Sequence, residues 1–321
     1  MISLQDIFTA QQRIKGIAKH TPTLYSPQLS QAMGTSVTLK LDMLQQVGAF
    51  KIRGAANKIL NLSTEQKKQG VVTASTGNHG HAVAYVAYQL NIPATVCISE
   101  LVPQNKVEAL RQLGANVVVI GRSQDEAAEH AWQLQAGSGS TMIHPFDDPE
   151  IIAGQGTIGL ELLQDLPEID TALVPLSGGG LISGVGFVLK TVNPKIRVIG
   201  ISMERGAVMY ESLLAKRPLQ MPEEATLADS LQGGIGLDNQ YTFQMTQKVV
   251  DDVYLVTEAE IGKAIAFLCH THKCIVEGAA AVGVAALLSG KVKNLGKYIA
   301  LILTGNNVDM AQFWQVIQQY S

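Results

Sequence analysis

Cysteine is scarce in this 321-residue chain: Cys97, Cys269 and Cys274 are the only three, unevenly placed. Thiols so few build no disulfide framework, and a reducing, cytoplasmic setting is expected. Long apolar runs are also missing; none approaches the ~20 residues that span a bilayer. The opening stretch "MISLQDIFTAQQRIKGIAKH" lacks the basic and apolar regions of a signal peptide and alternates at helical spacing. An excess of one charge is absent too. Lys+Arg 24 against Asp+Glu 27, a formal net charge of −3, leave no basic stripe for nucleic acid and no polybasic tail for a membrane surface. No fixed-period repeat or low-complexity tract occurs. A small-molecule partner remains as the default.

What is present is a chain 46% hydrophobic and 16% charged, long enough for a well-buried core. Short apolar, β-branched runs alternate with longer helical segments: "SVTLKL" (36–41), "VVTAS" (71–75), "ATVCIS" (94–99), "NVVVI" (116–120), "TALVPL" (171–176), "RVIGIS" (197–202), "DVYLV" (252–256) and "KYIALIL" (297–303). Most are continuously apolar, as suits strands covered on both faces, so the expected class is α/β with open, mostly parallel sheets flanked by helices. The turn-rich stretches "NLSTEQKKQG" (61–70) and "QAGSGSTMIHPFDDPE" (135–150) bracket a smaller unit. The expected division is a large domain of residues 1–60 with 147–321 and a small one of 61–146.

Four loops follow apolar runs or open helical segments. In "PLSGGGLISG" (175–184), Gly178, Gly179 and Gly180 free the backbone to point N–H groups at an anion, or merely to turn tightly from strand to helix. It lacks the Lys-Ser/Thr ending of a nucleoside-triphosphate loop and the early position of a dinucleotide fingerprint, which disfavours a nicotinamide oxidoreductase. "TASTGNHG" (73–80) sets Ser75, Thr76, Asn78 and His79 around Gly77, suited to gripping a carboxylate or to capping the next helix. "LTGNNVD" (303–309) places Thr304 after an apolar run, where ligands of open α/β sheets gather and where Asn/Gly turns also occur. "VGAFKIRGAANKIL" (47–60) puts Lys51 beside Phe50; a desolvated amine condenses with an aldehyde, and a solvated surface lysine is the ordinary alternative. One ligand with a phosphate, an aldehyde and an aromatic ring, working on a substrate carboxylate, meets all four: pyridoxal 5′-phosphate.

With these motifs in this order, and with "HTPTLYSPQLS" (20–30), "AGQGTIGLEL" (153–162) and "EGAAAVGVAAL" (277–287), the chain resembles the fold-type II pyridoxal-phosphate enzymes nearly end to end. Within them it resembles the serine/threonine dehydratase and serine racemase branch. The resemblance implies a two-domain, tryptophan synthase β-like fold in which Lys51 bonds the cofactor and Phe50 packs against its ring. It implies that Asn78 bonds the ring's 3-hydroxyl, that Ser177, Gly178, Gly179, Gly180 and Leu181 offer N–H groups to the phosphate, and that Glu277 lies near the cofactor. Ser75, Thr76, Asn78 and His79 would hold the substrate carboxylate, and Thr304 would face the pyridine nitrogen. A neutral hydroxyl there does not keep that nitrogen protonated as a carboxylate would, which favours β-elimination over transamination. The implied reaction removes water from a small β-hydroxy-α-amino acid, giving a 2-keto acid and ammonia, with Lys51 moving the α-proton.

Departures from the family pattern set the alternatives. Thr76, with Lys51 a candidate catalytic residue, stands where racemases carry serine as the acid/base on the second face of the substrate and many dehydratases alanine, so an amino acid racemase remains a rival. A non-catalytic binding protein on the same fold is a second rival, against which Lys51 speaks. "GRSQDEA" (121–127), "ISMERGAVM" (201–209) and "TLADSLQGGIGLDN" (226–239) are similar to the hydroxyectoine utilisation dehydratases and imply a hydroxyectoine-derived substrate. Ser202 and Val208 stand where metal-dependent members have acidic ligands, and "CHTHKC" (269–274) lacks zinc-ligand spacing, so no metal is expected. The family implies a homodimer or homotetramer. The short stretch after "LTGNNVD" leads us to expect no C-terminal regulatory domain, and Arg53 is assigned to a structural ion pair.

Overall fold

The computed structural model describes residues 2–75, 77–100, 102, 104–122 and 124–321, the side chains of residues 105, 124 and 125 excepted. Ten strands run along the described chain: β1 Thr23–Tyr25, β2 Ser36–Lys40, β3 Val71–Ala74, β4 Ala94–Ile98, β5 Asn116–Val119, β6 Thr141–Met142, β7 Thr171–Pro175, β8 Arg197–Met203, β9 Asp252–Val256 and β10 Tyr298–Ile302. They form two sheets, ordered β1-β2-β10-β7-β8-β9 and β5-β4-β3-β6. Every pairing is parallel except β1 with β2. The class is the expected α/β one.

In the six-stranded sheet the apolar runs alternate between two cores. Leu173, Ile199, Ile201, Ile299 and Leu301 enter one cluster, with the helices Glu258–His272 and Gly278–Leu288. Ala172, Val174, Val198, Ala300 and Ile302 enter the other, with the helix Gly180–Val192. Neighbouring side chains of a strand point to opposite faces, so a strand covered on both must be apolar at every position. The four-stranded sheet repeats this: Val96 and Ile98 join Ala84, Val107 and Leu110 on one side, while Cys97 joins Val72, Ala127 and Ala131 on the other.

Packing divides the chain into residues 20–50 with 155–321, and residues 2–19 with 51–154. These limits differ from the expected ones at 60 and 147. The helix Ile52–Leu60 packs on the helix Asn78–Gln89, which draws it into the smaller unit. Arg13 donates to Asn57 Oδ1 at 2.6 Å, holding the N-terminal helix Leu4–Arg13 there as well. At the other limit Gly154 lies so near Arg53 and Gly54 that an added Cβ would stand 2.6 Å from their backbone atoms. The first turns of the helix Pro149–Asp165 therefore belong with the smaller unit.

Candidate active site

Parallel α/β sheets collect their ligands outside the carboxyl ends of the strands. In the smaller unit, β3 ends at Ala74 and leads through Ser75 to the helix Asn78–Gln89. Thr76 lies outside the described residues. Gly77 is the helix's N-cap and no side-chain bond closes the first turn. Gly80 is required by contact: an added Cβ would stand 1.9 Å from the Ser75 carbonyl oxygen. Asn78 and His79 are both buried.

The His79 ring makes a 2.8 Å bond through Nε2 to the Ile143 carbonyl oxygen. A carbonyl only accepts, so Nε2 carries the proton. Burial, followed by the charge of Lys51, pushes the His79 pKa down to about 3, against the bond to Ile143, and the imidazole is neutral. Lys51 sits at the N-cap of the helix Ile52–Leu60 and donates from Nζ to the Pro145 carbonyl oxygen at 2.7 Å. Arg53, 1% exposed, donates to the Lys19 carbonyl oxygen at 3.1 Å. Lys51 and His79 thus face one segment, residues 143–145, which sequence reasoning had taken for a boundary loop.

Asp148, just beyond, pairs with Lys58 at 2.7 Å. Burial works against the Lys58 ammonium, yet the neighbouring Asp148 and Glu150 carboxylates raise its proton affinity above the ordinary lysine value. Burial and the hydrogen bond with Glu150 raise the Asp148 carboxyl. None of these partners was foreseen. A backbone acceptor such as Pro145 has no residue-type signature, and only the density of "HPFDD" in polar residues hinted at a built loop.

In the larger unit, the glycine loop follows β7. Gly179 has φ +86° and is the N-cap of the helix Gly180–Val192, with no side-chain bond closing its first turn. An added Cβ at Gly179 would stand 2.8 Å from Thr246 Oγ1 and 2.9 Å from Met209 Cε, so glycine is demanded by packing as well as by φ. Ser177 is half-buried, and Gly178, Gly180 and Leu181 are buried. Two residues past the end of β10, the strand beside β7, lies Thr304, which is 3% exposed.

The Thr304 carbonyl oxygen accepts from the Phe50 N–H at 3.0 Å, and Ala49 pairs with Gly305 as an antiparallel bridge. Gly48, at φ +70°, closes this strap through the Asn306 N–H, and Asn307 Nδ2 donates to the Val47 carbonyl oxygen at 2.8 Å. Glu277, 4% exposed, is the N-cap of the helix Gly278–Leu288. Its N–H donates to the Gly305 carbonyl oxygen at 3.1 Å, and an added Cβ at Gly305 would stand 2.4 Å from Glu277 Oε1. Phe50, Thr304 and Glu277 are therefore brought together, with Gly305 as the small residue that makes room.

The residues of "CHTHKC" have other partners: His270 bonds Ser321 Oγ at 2.7 Å and His272 bonds Ser26 Oγ at 2.9 Å. Among the described residues no group of three or more His, Cys, Asp or Glu side chains is arranged to hold a metal ion.

Comparison with known proteins adds that a family model described as "Pyridoxal-phosphate dependent enzyme" matches residues 14–305. The chain belongs to the pyridoxal-phosphate dependent enzymes. It is 43% identical over 319 residues to L-threonine ammonia-lyase of Thermotoga maritima, covering 99% of this chain and 79% of that protein. The structure of maize serine racemase matches with a TM-score of 0.92 at 36% identity, covering 99% of this chain and 97% of that one. Threonine deaminase isoform 2 of Solanum lycopersicum matches with a TM-score of 0.91 at 34% identity, covering 98% and 87%. The fold is that of the fold-type II members of this family.

The cofactor of this family is pyridoxal 5′-phosphate, and the donor chemistry fits it. Taken by itself, the smaller unit offers an amine, at Lys51, beside a neutral imidazole. Taken by itself, the larger unit offers a glycine turn whose helix has no side-chain cap to compete with an anion, and a buried hydroxyl just past a strand end.

Proposed function

We propose that this pyridoxal-phosphate enzyme is a dehydratase, or ammonia-lyase, that removes water from a small β-hydroxy-α-amino acid of the threonine or serine type and yields a 2-keto acid and ammonia. The observation that carries the reading is the amine of Lys51 held at 2.7 Å on a backbone carbonyl beside an imidazole that stays neutral. That leaves the lysine as the proton-moving group of its cluster. The 43% identity to an L-threonine ammonia-lyase supports the same substrate class.

When bound, pyridoxal 5′-phosphate supplies an aldehyde carbon for an amine and a ring that draws electrons from the substrate's α-carbon. Lys51 would hold the group by its amine and would move the α-proton at Nζ. Ser177, Gly178, Gly179, Gly180 and Leu181 would hold the phosphate by their N–H groups, Phe50 would pack against the ring, and Asn78 would bond its 3-hydroxyl. Thr304 would offer a neutral hydroxyl to the pyridine nitrogen, and Glu277 would stand near the ring. Ser75, Thr76, Asn78 and His79 bind the substrate carboxylate; because the His79 ring is engaged with Ile143, its share falls to the backbone N–H at the helix N-terminus. The protein is assigned to the cytoplasm as a homodimer or homotetramer. Among the described residues no helix is long and apolar enough to cross a membrane.

A racemase is the second reading, favoured by the match to maize serine racemase and by the hydroxyl of Thr76. L-Serine, L-threonine and hydroxy amino acids derived from hydroxyectoine, offered to the holoenzyme, separate these readings. The expected result is keto acid and ammonia in equal amounts, with the preferred member of the panel defining the finer substrate. Serine recovered as both enantiomers without keto acid would replace the lyase by the racemase.

A further inference from the structure

The segment between β6 and the helix Pro149–Asp165 is fastened far more heavily than a connection requires. The Ile143 carbonyl oxygen accepts from two side chains, His79 Nε2 at 2.8 Å and Thr73 Oγ1 at 2.9 Å, while the Ile143 N–H donates to the Val72 carbonyl oxygen at 2.9 Å. His144 Nδ1 then accepts from the N–H groups of Phe146 at 3.2 Å and Asp147 at 2.7 Å, which folds the chain back around Pro145. Asp148 Oδ1 accepts from Glu150 and Ile151 N–H groups at 2.9 and 3.2 Å, and Asp148 Oδ2 pairs with Lys58 at 2.7 Å. Lys58 lies on the helix that Lys51 opens. Proline has no N–H, so the one polar group Pro145 presents is its carbonyl, and that carbonyl receives Lys51 Nζ.

We propose that residues 143–148 are a built rest for the Lys51 amine, in which the Pro145 carbonyl receives Nζ whenever that amine is not bonded to the cofactor. His79 and Thr73 are the positioning residues that hold the carbonyl in place. The inference rests on the reading of Lys51 as the cofactor-bearing lysine. When a substrate amine replaces lysine on the cofactor carbon, one carbon–nitrogen bond forms as another breaks, and Lys51 leaves as a neutral amine with two N–H groups and a lone pair. Donating one N–H to Pro145 turns the lone pair away from the carbonyl and leaves it available for a proton. Once that proton is taken, the ammonium keeps the same acceptor in a stronger, charge-assisted bond. The neighbouring His79 ring remains neutral, so it adds no charge against the protonated lysine. Without the rest, the long lysine side chain would sample other rotamers at each release.

The test compares His79→Leu, which removes the donor to Ile143, with His79→Gln, whose amide N–H replaces Nε2, and with Thr73→Val. Full-length protein stripped of cofactor is mixed with pyridoxal 5′-phosphate, and the rate of covalent capture is followed by absorbance; kcat and KM are measured on the holoenzymes. His79→Leu should slow capture and lower kcat by about tenfold, the scale of one lost buried hydrogen bond, with KM nearly unchanged. His79→Gln should recover most of both. Thr73→Val should show a smaller loss of the same kind, and it decides the matter if His79→Leu does not fold. Native capture and kcat in a folded His79→Leu or Thr73→Val protein, or a Gln variant no better than Leu, would overturn the proposal. Borohydride reduction of the wild-type holoenzyme separates the two claims. An adduct on a residue other than Lys51 overturns the underlying reading and this one with it, whereas an adduct on Lys51 with unaltered variant rates overturns the rest alone.

Discussion

His79 shows how much a single side chain settles once its partner is known. The motif "TASTGNHG" marks it as a candidate by type, but not by direction, because a histidine after a strand serves equally as a ligand, a cap or a core residue. Its Nε2 bond to Ile143 turns the ring away from carboxylate binding and fixes it as a neutral donor. The pH consequence has a definite sign. The unfolded chain protonates this histidine near 6.5, whereas burial and the Lys51 charge hold the folded pKa down to about 3. Below 6.5 the unfolded state takes up a proton that the folded state refuses, so the contribution is intact above that pH and is lost progressively toward 3. Urea midpoints measured across this interval should fall more steeply for the wild type than for His79→Gln. Parallel curves would remove His79 as the source.

At the scale of elements, the continuous apolar runs located eight strands, because burial on both faces leaves a strong local signal. Two strands escaped. β1 has only three residues, is mostly exposed, and pairs antiparallel at the sheet edge. β6 has two, at the end of a Gly/Ser-rich stretch. Their pairing depends on neighbours distant in sequence, which no local pattern encodes. A lysine inside the apolar run "SVTLKL" is another element-level feature explained only by packing. Lys40 at the end of β2 is fully buried, and its Nζ meets the Thr21 carbonyl oxygen at 2.6 Å, Glu161 Oε2 at 2.7 Å and Asp165 Oδ2 at 3.1 Å. This joins the strand to the helix Pro149–Asp165. Glu161→Leu would leave the ammonium underpaired, and equilibrium unfolding should register a loss of about 3–5 kcal/mol. A variant as stable as the wild type would show the pair to be dispensable.

For the whole molecule, class and family were legible because several motifs stood in a fixed order, and the glycine loop, Thr304 and Lys51 were named from residue type and position. The limits of the two units were not. They fall at 51 and 154 because a helix and a glycine contact tie residues 52–60 to the smaller unit, where turn composition had suggested 61 and 146. Nor was the segment 143–148, whose part is played by a backbone carbonyl. The account depends most on one residue. Holoenzyme reduced with borohydride, digested and mapped by mass spectrometry should carry a single pyridoxyl adduct, on Lys51. An adduct on any other lysine, or none on a protein that retains activity, would contradict it.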